Sequence, residues 1–348
     1  MKKVLFYITG HGFGHAIPVI EVIKQLRKLN PDLMPVLNTA APDTFFKRCL
    51  EGEYKYIRCK NDVGAIQKDW RYVDKLKTLE RYANLIKQEP DLINEQMSFI
   101  RQNRIKAVIS DIPAIAFVIA KEAGIPSFGI SNFSWDWIYS PYVEEYPAFK
   151  YVVDHIRECY SKAGQLLRLP FHGDLSAFPV IHDIPLISQR AKLSREETIK
   201  RLNLNPAIKI VLVYLGNFDF RRVLTREILN NKNFTLVSFD ILNGSNDMAP
   251  DLLNAADIVV TKPGIGIVSD AIAARTPVLY TSREDFQEYH VLVKGLKKYA
   301  HCRLLPLEDL LAGNWLEHLN ALLSSEHNWP KIDVNGAEIA ARKISEVL

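Results

Sequence analysis

Short apolar runs bounded by turn residues recur along this chain, alternating with stretches whose apolar positions return every three to four residues. Runs rich in β-branched and aromatic residues at 3–9, 34–38, 54–58, 106–110 and 126–130 read as strands. Between them, 16–29, 42–50, 70–103 and 113–123 read as helices. The runs at 3–9 and 106–110 are apolar almost throughout, as strands covered on both faces should be. Such alternation predicts parallel α/β layers. The regularity breaks where Pro170, Pro179, Pro185 and Gly173 interrupt the pattern, which predicts a linker over 169–192. The linker would separate an N-terminal domain, 1–168, from a C-terminal domain, 193–332. The second round has a helix at 194–203, opened by a Ser194/Glu197 capping box. Strands at 208–214, 234–239, 257–261 and 277–281 follow, with helices at 221–231, 265–274 and 286–298. A last helix within 333–348 is placed to cross back to the first domain. The expected architecture is two doubly wound, Rossmann-like domains, and 348 residues at about 150 per domain agree with two.

Composition adds exclusions. With 48% hydrophobic and 24% charged residues the chain is an ordinary globular protein. The net charge of +4 resides in residues 1–180, which carry 24 basic and 20 acidic side chains. That surplus is too small and too dispersed for a nucleic-acid partner, though it leaves room for mild attraction to phosphates or to an anionic membrane surface. Cys49, Cys59, Cys159 and Cys302 show no C-x-x-C pair and no His/Cys cluster at zinc spacing, so free thiols in a reducing compartment are expected. The apolar run after Met1-Lys2-Lys3 is five residues long, too short for a signal peptide, and no stretch approaches the roughly 20 residues of a membrane span. A cytoplasmic protein is expected, with contact at the inner membrane face left open.

The densest constellation is Thr9-Gly10-His11-Gly12-Phe13-Gly14-His15-Ala16-Ile17-Pro18, directly after the first strand and opening the first helix. Its glycines permit close approach of a ligand to the main chain beside unpaired helix N–H groups. It is not a dinucleotide fingerprint: the third glycine of G-x-G-x-x-G would be His15, and the second strand ends at Asn38-Thr39 without an acidic residue. P-loop, G-x-S-x-G, H-E-x-x-H and D-x-D motifs are also missing from the sequence. His15, at a helix start that disfavours imidazolium, suits a general base, or it hydrogen-bonds the glycine turn. His11 is the competing histidine. Asp111 ends the fourth strand at the carboxyl edge of the sheet, as a base or acceptor anchor, or as the N-cap of the helix near Pro113. Asn132, Trp135 and Asp136 follow the fifth strand. A polar pair around an aromatic suits stacking on a sugar face, and packing is the alternative for Trp135 and Trp137. In the second domain, Lys262-Pro263-Gly264-Ile265-Gly266 joins a strand to a helix, so amides at 265–267 could meet a pyrophosphate with Lys262 as counter-charge. Close strand–helix packing is the alternative for Gly264 and Gly266. Asp270, one turn on, is placed to accept both hydroxyls of a ribose.

Three segments carry a resemblance. Gly14-His15-x-x-Pro18 after a glycine-rich turn resembles the N-terminal loop of the MurG-like (family 28) glycosyltransferases, and TGHGFGHAIPVIEVIKQL is more specifically similar to the glycosyltransferase-like domain of L-arabinokinases and their stand-alone relatives. Residues 110–143 are similar to the same family in order and spacing, and 261–296 to its donor-binding segment. The resemblance implies a GT-B fold, with an acceptor side in the first domain, a nucleotide-sugar side in the second and a cleft between them. It implies donor contacts from Gly216, Asn217, Lys262, Gly264, Ile265, Gly266, Ile267, Ser269, Asp270, Asp285, Phe286, Gln287 and Glu288. Where the family more often has Glu, this chain has Asp270, and Asp285 to Glu288 read alternatively as a solvated helix start. The acceptor side would include His11, Gly12, Phe13, Gly14, Asn132, Trp135 and Asp136. A lipid-linked acceptor would call for an apolar patch drawn from Phe13, Trp135, Trp137, Ile138 and Tyr139. The implied reaction is sugar transfer from a nucleoside-diphosphate sugar, UDP-linked by expectation, to a small-molecule, glycan or lipid-linked hydroxyl. It would be inverting, and without D-x-D it would be metal-independent, with no cofactor. The alternatives are a nucleotide-sugar epimerase of the same architecture and a non-catalytic sugar-nucleotide sensor.

Overall fold

Strand β1 (Lys2–Ile8) lies at the centre of the first sheet, buried from Val4 to Ile8 between two layers of helices. The computed structural model describes residues 1–11, 14–69, 71–216, 218–242, 248–283, 285–326 and 328–348. Gly12, Phe13 and Asn217, all expected at sites, lie outside them. The chain divides into two units. The first holds Met1–Asp69, Val73–Ile187 and Asn335–Leu348, and the second holds Ser188–Val334 with 71–72.

In the first unit the elements run β1, α1 (Ala16–Leu29), β2 (Leu33–Thr39), α2 (Asp43–Cys49), β3 (Lys55–Arg58), α3 (Lys75–Asn103), β4 (Ile105–Asp111), α4 (Ile115–Ala123), β5 (Ser127–Ser131), α5 (Trp135–Glu145), α6 (Lys150–Ser161), β6 (Gln165–Arg168) and β7 (Ile181–Asp183). Among the described residues the sheet has seven strands, all parallel, in the order β3-β2-β1-β4-β5-β6-β7. The expected helix at 70–103 starts at Lys75, because Asp74 accepts the Lys77 amide and caps it. The expected linker at 169–192 is corrected: β7 falls inside it and pairs with β6, and Leu175 and Phe178 are buried. A three-residue strand between prolines is too short to display alternation.

The second unit continues with α7 (Arg195–Arg201), β8 (Lys209–Tyr214), α8 (Arg226–Leu229), β9 (Phe234–Val237), α9 (Ala249–Ala255), β10 (Ile258–Thr261), α10 (Ile265–Ala274), β11 (Val278–Tyr280), α11 (Glu288–Tyr299), β12 (Cys302–Leu304), α12 (Leu307–Ala312) and α13 (Leu316–Ser324). Its described strands form a five-stranded parallel sheet, β12-β11-β10-β8-β9. Val211, Val213, Ile258, Val260, Leu279 and fully buried Trp315 form one core beneath it. The expected helix at 221–231 is broken. A 3₁₀ turn at Phe220–Val223 ends before Thr225, whose hydroxyl accepts the Ile228 amide and starts α8 afresh.

Helix α14 (Gly336–Ser345) belongs to the first unit, on α1, where Asn30 Nδ2 donates to Ser345 Oγ at 2.9 Å. Its first residue must be glycine. A Cβ there would stand 2.1 Å from the Pro185 carbonyl oxygen, to whose neighbour Leu186 the Gly336 amide donates. No described helix is long and apolar enough to cross a membrane.

Each sheet reverses direction once. In the first, β1 leads outward to β2 and β3, and β4 returns to the other side of β1; in the second, β8 leads to β9 and β10 returns beside β8. The crevice above such a reversal is where open α/β sheets hold ligands, because the flanking connections diverge to opposite faces. The reversal points are Ile8 beside Asp111 and Tyr214 beside Thr261.

Candidate functional site

In the first unit the crevice at the reversal holds a histidine–carboxylate pair. His15, the residue before α1, places Nδ1 2.9 Å from Oδ1 of Asp111 at the end of β4. The side chains are 12% and 4% exposed, so the contact is shielded from water on the carboxylate side. Burial pushes the Asp111 carboxyl up, and the charge and hydrogen bond of His15 pull it back. The N-cap alternative for Asp111 is not what the chain builds: α4 begins after Ala114 with no side-chain cap, and Ser110 Oγ donates to the Pro113 carbonyl. A carboxylate on Nδ1 fixes the imidazole ring and tautomer, leaving Nε2 the nitrogen suited to accept a proton. Gly14, next to His15, has open space where a Cβ would stand.

A second carboxylate, unforeseen from sequence, lies in the same neighbourhood. Asp62 accepts from Trp135 Nε1 at 3.0 Å. Burial raises its pKa; hydrogen bonds from Thr9 and Trp135 and the charge of His15 lower it, and Asp111 raises it. Two carboxylates thus share one histidine, which disfavours full ionisation of both. Asp62 sits in an irregular stretch between β3 and α3, where spacing carries no signal. Gly64 beside it adopts φ +69°, and a Cβ would lie 2.5 Å from His11 Cβ, so only glycine lets the His11 ring lie there.

Trp135 and Asp136 are corrected from acceptor residues to framework. Trp135 is fully buried, edge-on to His11 and Phe133 and stacked on Tyr139 with ring centroids 5.5 Å apart. Removing such a ring would cost about 3–5 kcal/mol. Ile138 and Tyr139 are buried too, so they add nothing to an exposed apolar patch, and Trp137 packs over Gly173. Asp136, 1% exposed, pairs with Arg157 at 2.8 Å. Asn132 is buried and bonds the Phe171 and Gly173 backbone, which ties a loop down rather than facing a ligand.

The second unit's reversal point holds the Lys262–Gly266 turn, where an anion cradle is expected. Gly264 precedes α10 with no side-chain cap, and the first intrahelical bond runs from the Val268 amide to the Gly264 carbonyl. The amides of Ile265, Gly266 and Ile267 therefore have no intrahelical acceptor. A Cβ on Gly264 would meet nothing within 4 Å, and φ is −146°, so neither packing nor backbone conformation calls for glycine here. Gly216 adopts φ +63°, and a Cβ on it would lie 3.2 Å from Lys262 Nζ: the lysine lies across the glycine turn. Burial and the nearby Arg283 lower the Lys262 pKa to about 8. Lys262 has no carboxylate partner among the described residues, which leaves a half-buried cation with unspent charge. A cavity of about 260 Å³ opens beside Gly216, walled by Tyr214, Phe218 and Phe239.

The other residues expected on the donor side differ in their surroundings. Ser269 is buried with its hydroxyl unpartnered. Asp270 is corrected: it is 8% exposed and its Oδ1 accepts the Gln189 amide at 2.7 Å, so it anchors the 188–191 segment instead of offering both oxygens to a ribose. Phe286 is buried under the Arg283 guanidinium, 3.7 Å above its ring, and Glu288 is buried at the start of α11. Asp285 and Gln287, partly exposed, follow β11 in the chain.

No family model matches the chain. It is 30% identical over 354 residues to L-arabinokinase of Arabidopsis thaliana, an alignment that takes in 98% of the chain. The chain spans about a third of the length of that relative, 34%. Among solved structures it is similar to a UDP-glucose:anthocyanidin 3-O-glucosyltransferase in complex with UDP (TM-score 0.62, 11% identity, 99% of this chain and 94% of that one). It is similar to the same extent to Phytolacca americana UGT2 complexed with UDP-2-fluoroglucose and pterostilbene (TM-score 0.62, 12% identity, 99% and 94%). The calicheamicin glycosyltransferase CalG4 superimposes with a TM-score of 0.60 at 13% identity, over 99% and 94% of the two chains. The chain has the GT-B fold.

Proposed function

We propose that the chain is a glycosyltransferase that moves a sugar from a nucleoside-diphosphate sugar to an acceptor hydroxyl. The observation that carries the reading is the His15–Asp111 pair at the reversal point of the first sheet. His15 Nε2 takes the acceptor hydroxyl proton, and Asp111 holds the ring and balances the imidazolium that forms. The acceptor oxygen bonds to the anomeric carbon as the bond from that carbon to the diphosphate breaks, a single displacement that inverts the centre. The leaving diphosphate gains charge, which the amides of Ile265–Ile267 and the Lys262 ammonium are disposed to receive without a metal ion. The UDP-bound neighbours support a UDP-linked donor. The Gly14-His15-x-x-Pro18 loop supports placing the chain with the MurG-like group, and its acceptor is a small-molecule, glycan or lipid-linked hydroxyl.

The test is a donor-by-acceptor panel with the full chain, following nucleoside diphosphate release and product mass. Release that requires an acceptor, with the acceptor gaining one sugar, is the expected result. Release or sugar isomerisation with donor alone would replace transfer by epimerase chemistry, and donor binding without turnover across the panel would replace it by sensing.

A further inference from the structure

One cluster of metal-ligating side chains in the first unit is used by neither site. His155 and Cys159 stand one turn apart on α6, and Glu89 reaches them from α3. His155 Nε2 lies 2.7 Å from Glu89 Oε2 and 3.5 Å from Cys159 Sγ, and the three ligand atoms all fall within 4.8 Å of one another. In a tetrahedral site with bonds of about 2.0–2.3 Å, ligand atoms sit roughly 3.3–3.7 Å apart. Side-chain adjustments of under about 1 Å therefore separate this cluster from that geometry.

The second observation is the other Glu89 oxygen. Glu89 is 5% exposed, and its Oε1 is buried with no hydrogen-bond partner. A carboxyl oxygen taken from water and given no donor is costly, and it belongs to the carboxyl group already aimed at His155. Cys159 is 2% exposed, while His155 is 29% exposed on its side chain and gives an ion a way in. The donor set, one imidazole, one thiolate and one carboxylate, is borderline-soft and suits zinc rather than magnesium or calcium.

We propose that Glu89, His155 and Cys159 bind one divalent ion of the zinc class, with water or the second Glu89 oxygen as fourth ligand. Binding displaces the His155 Nε2 proton and the Cys159 thiol proton to solvent. The ion fastens α6 to α3. Tyr160, next to Cys159, donates its hydroxyl to the Ile112 carbonyl at 2.8 Å and accepts the Trp135 amide, so the clamp braces the backbone beside Asp111. Its role is structural, independent of the reaction proposed above. The pairing was not apparent from sequence because the H-x-x-x-C spacing lacks its third ligand, 66 positions away.

The test uses the full chain, stripped with chelator and titrated with Co²⁺, then Zn²⁺. Expected are one equivalent of tightly bound Co²⁺ with a near-ultraviolet thiolate-to-cobalt band and tetrahedral visible bands, displaced by Zn²⁺. Cys159→Ser should lose the ultraviolet band. Glu89→Gln should weaken binding by more than the roughly 10–100-fold that outer-sphere changes cost. Zn²⁺ should raise the Tm of the wild type and leave that of Cys159→Ser unmoved. No thiolate band in the wild type, or an unchanged spectrum in Cys159→Ser, would overturn the proposal. Melting of the metal-free variants checks folding, and should Cys159→Ser fail to fold, full-affinity binding by Glu89→Gln overturns it alone.

Discussion

Gly264 offers the sharpest perturbation of the proposed donor cradle, because neither packing nor backbone conformation calls for a glycine there. A Cβ at this position enters space with no atom within 4 Å, from a backbone at φ −146° that any residue adopts. Gly264→Ala should therefore leave the ligand-free protein within about 1 kcal/mol of wild type, since alanine trades reduced chain entropy for a poorer cap, and the melting of ligand-free Gly264→Trp is read beside it. Both fill the position that a diphosphate would take on the Ile265–Ile267 amides, and the indole fills it completely. A nucleoside diphosphate at 100 times its Kd adds about 2.7 kcal/mol. For a unit the size of Ser188–Val334 that is roughly 5–10 °C in its transition. The assay is thermal melting with UDP, GDP, ADP, dTDP and CDP, each with and without magnesium. One nucleotide should shift the wild type, less shift should remain in Gly264→Ala, and none in Gly264→Trp. An undiminished shift in Gly264→Trp would refute the placement. A ligand-free loss well above 1 kcal/mol in Gly264→Ala would instead restore strand–helix packing as the reason for the glycine.

Two further outcomes follow from charge. Lys262 ionises at about 8 because of burial and Arg283, and diphosphate binding favours its charged form. Nucleotide affinity should thus fall as pH rises through about 8, and Lys262→Met should lose about 2 kcal/mol, roughly 30-fold in Kd, together with that pH dependence, as read by calorimetric titration. Asp257 is half-buried, which raises its pKa, but the Ile210 amide and the Arg195 and Lys209 side chains outweigh this and hold it below the usual range. A depressed carboxylate lends stability above its unfolded pKa of about 3.9, and loses it as pH falls through the folded value. Asp257→Asn should cost about 2 kcal/mol in urea unfolding at pH 7 and markedly less near pH 3.

Sequence pattern carried the layers further than the site. Val4–Ile8 and Ala107–Ile109 are apolar because helices cover both faces of their strands, and that run survives in the sequence whatever the tertiary detail. The capping box of Ser194 and Glu197 is a contact between near neighbours, and both of its hydrogen bonds form. Contacts between distant residues were opaque. Asp270 is engaged by the Gln189 amide 81 positions away, a partner no local pattern announces, and Asp62 lies in no motif. Trp135 and Asp136 were read by chemistry, but which way a side chain on the first turn of α5 points depends on packing against Tyr139 and Arg157. The sequence pattern predicts neither the eleven-residue α5, where aromatic crowding and Pro141 mask the period, nor the twelve-residue α6, although its buried Val152, Val153, Ile156, Cys159 and Tyr160 keep helical spacing.

The most direct measurement is the turnover of Asp111→Asn at saturating donor and acceptor, beside His15→Ala. The amide keeps the shape of Asp111 but can donate to Nδ1, which would move the imidazole proton to Nε2 and block it as a base. The account predicts kcat lower by about 10²–10⁴-fold in both variants, with nucleotide binding in the second unit unchanged. Turnover within about threefold of wild type in both, from folded protein, would contradict His15 as the base and Asp111 as its partner.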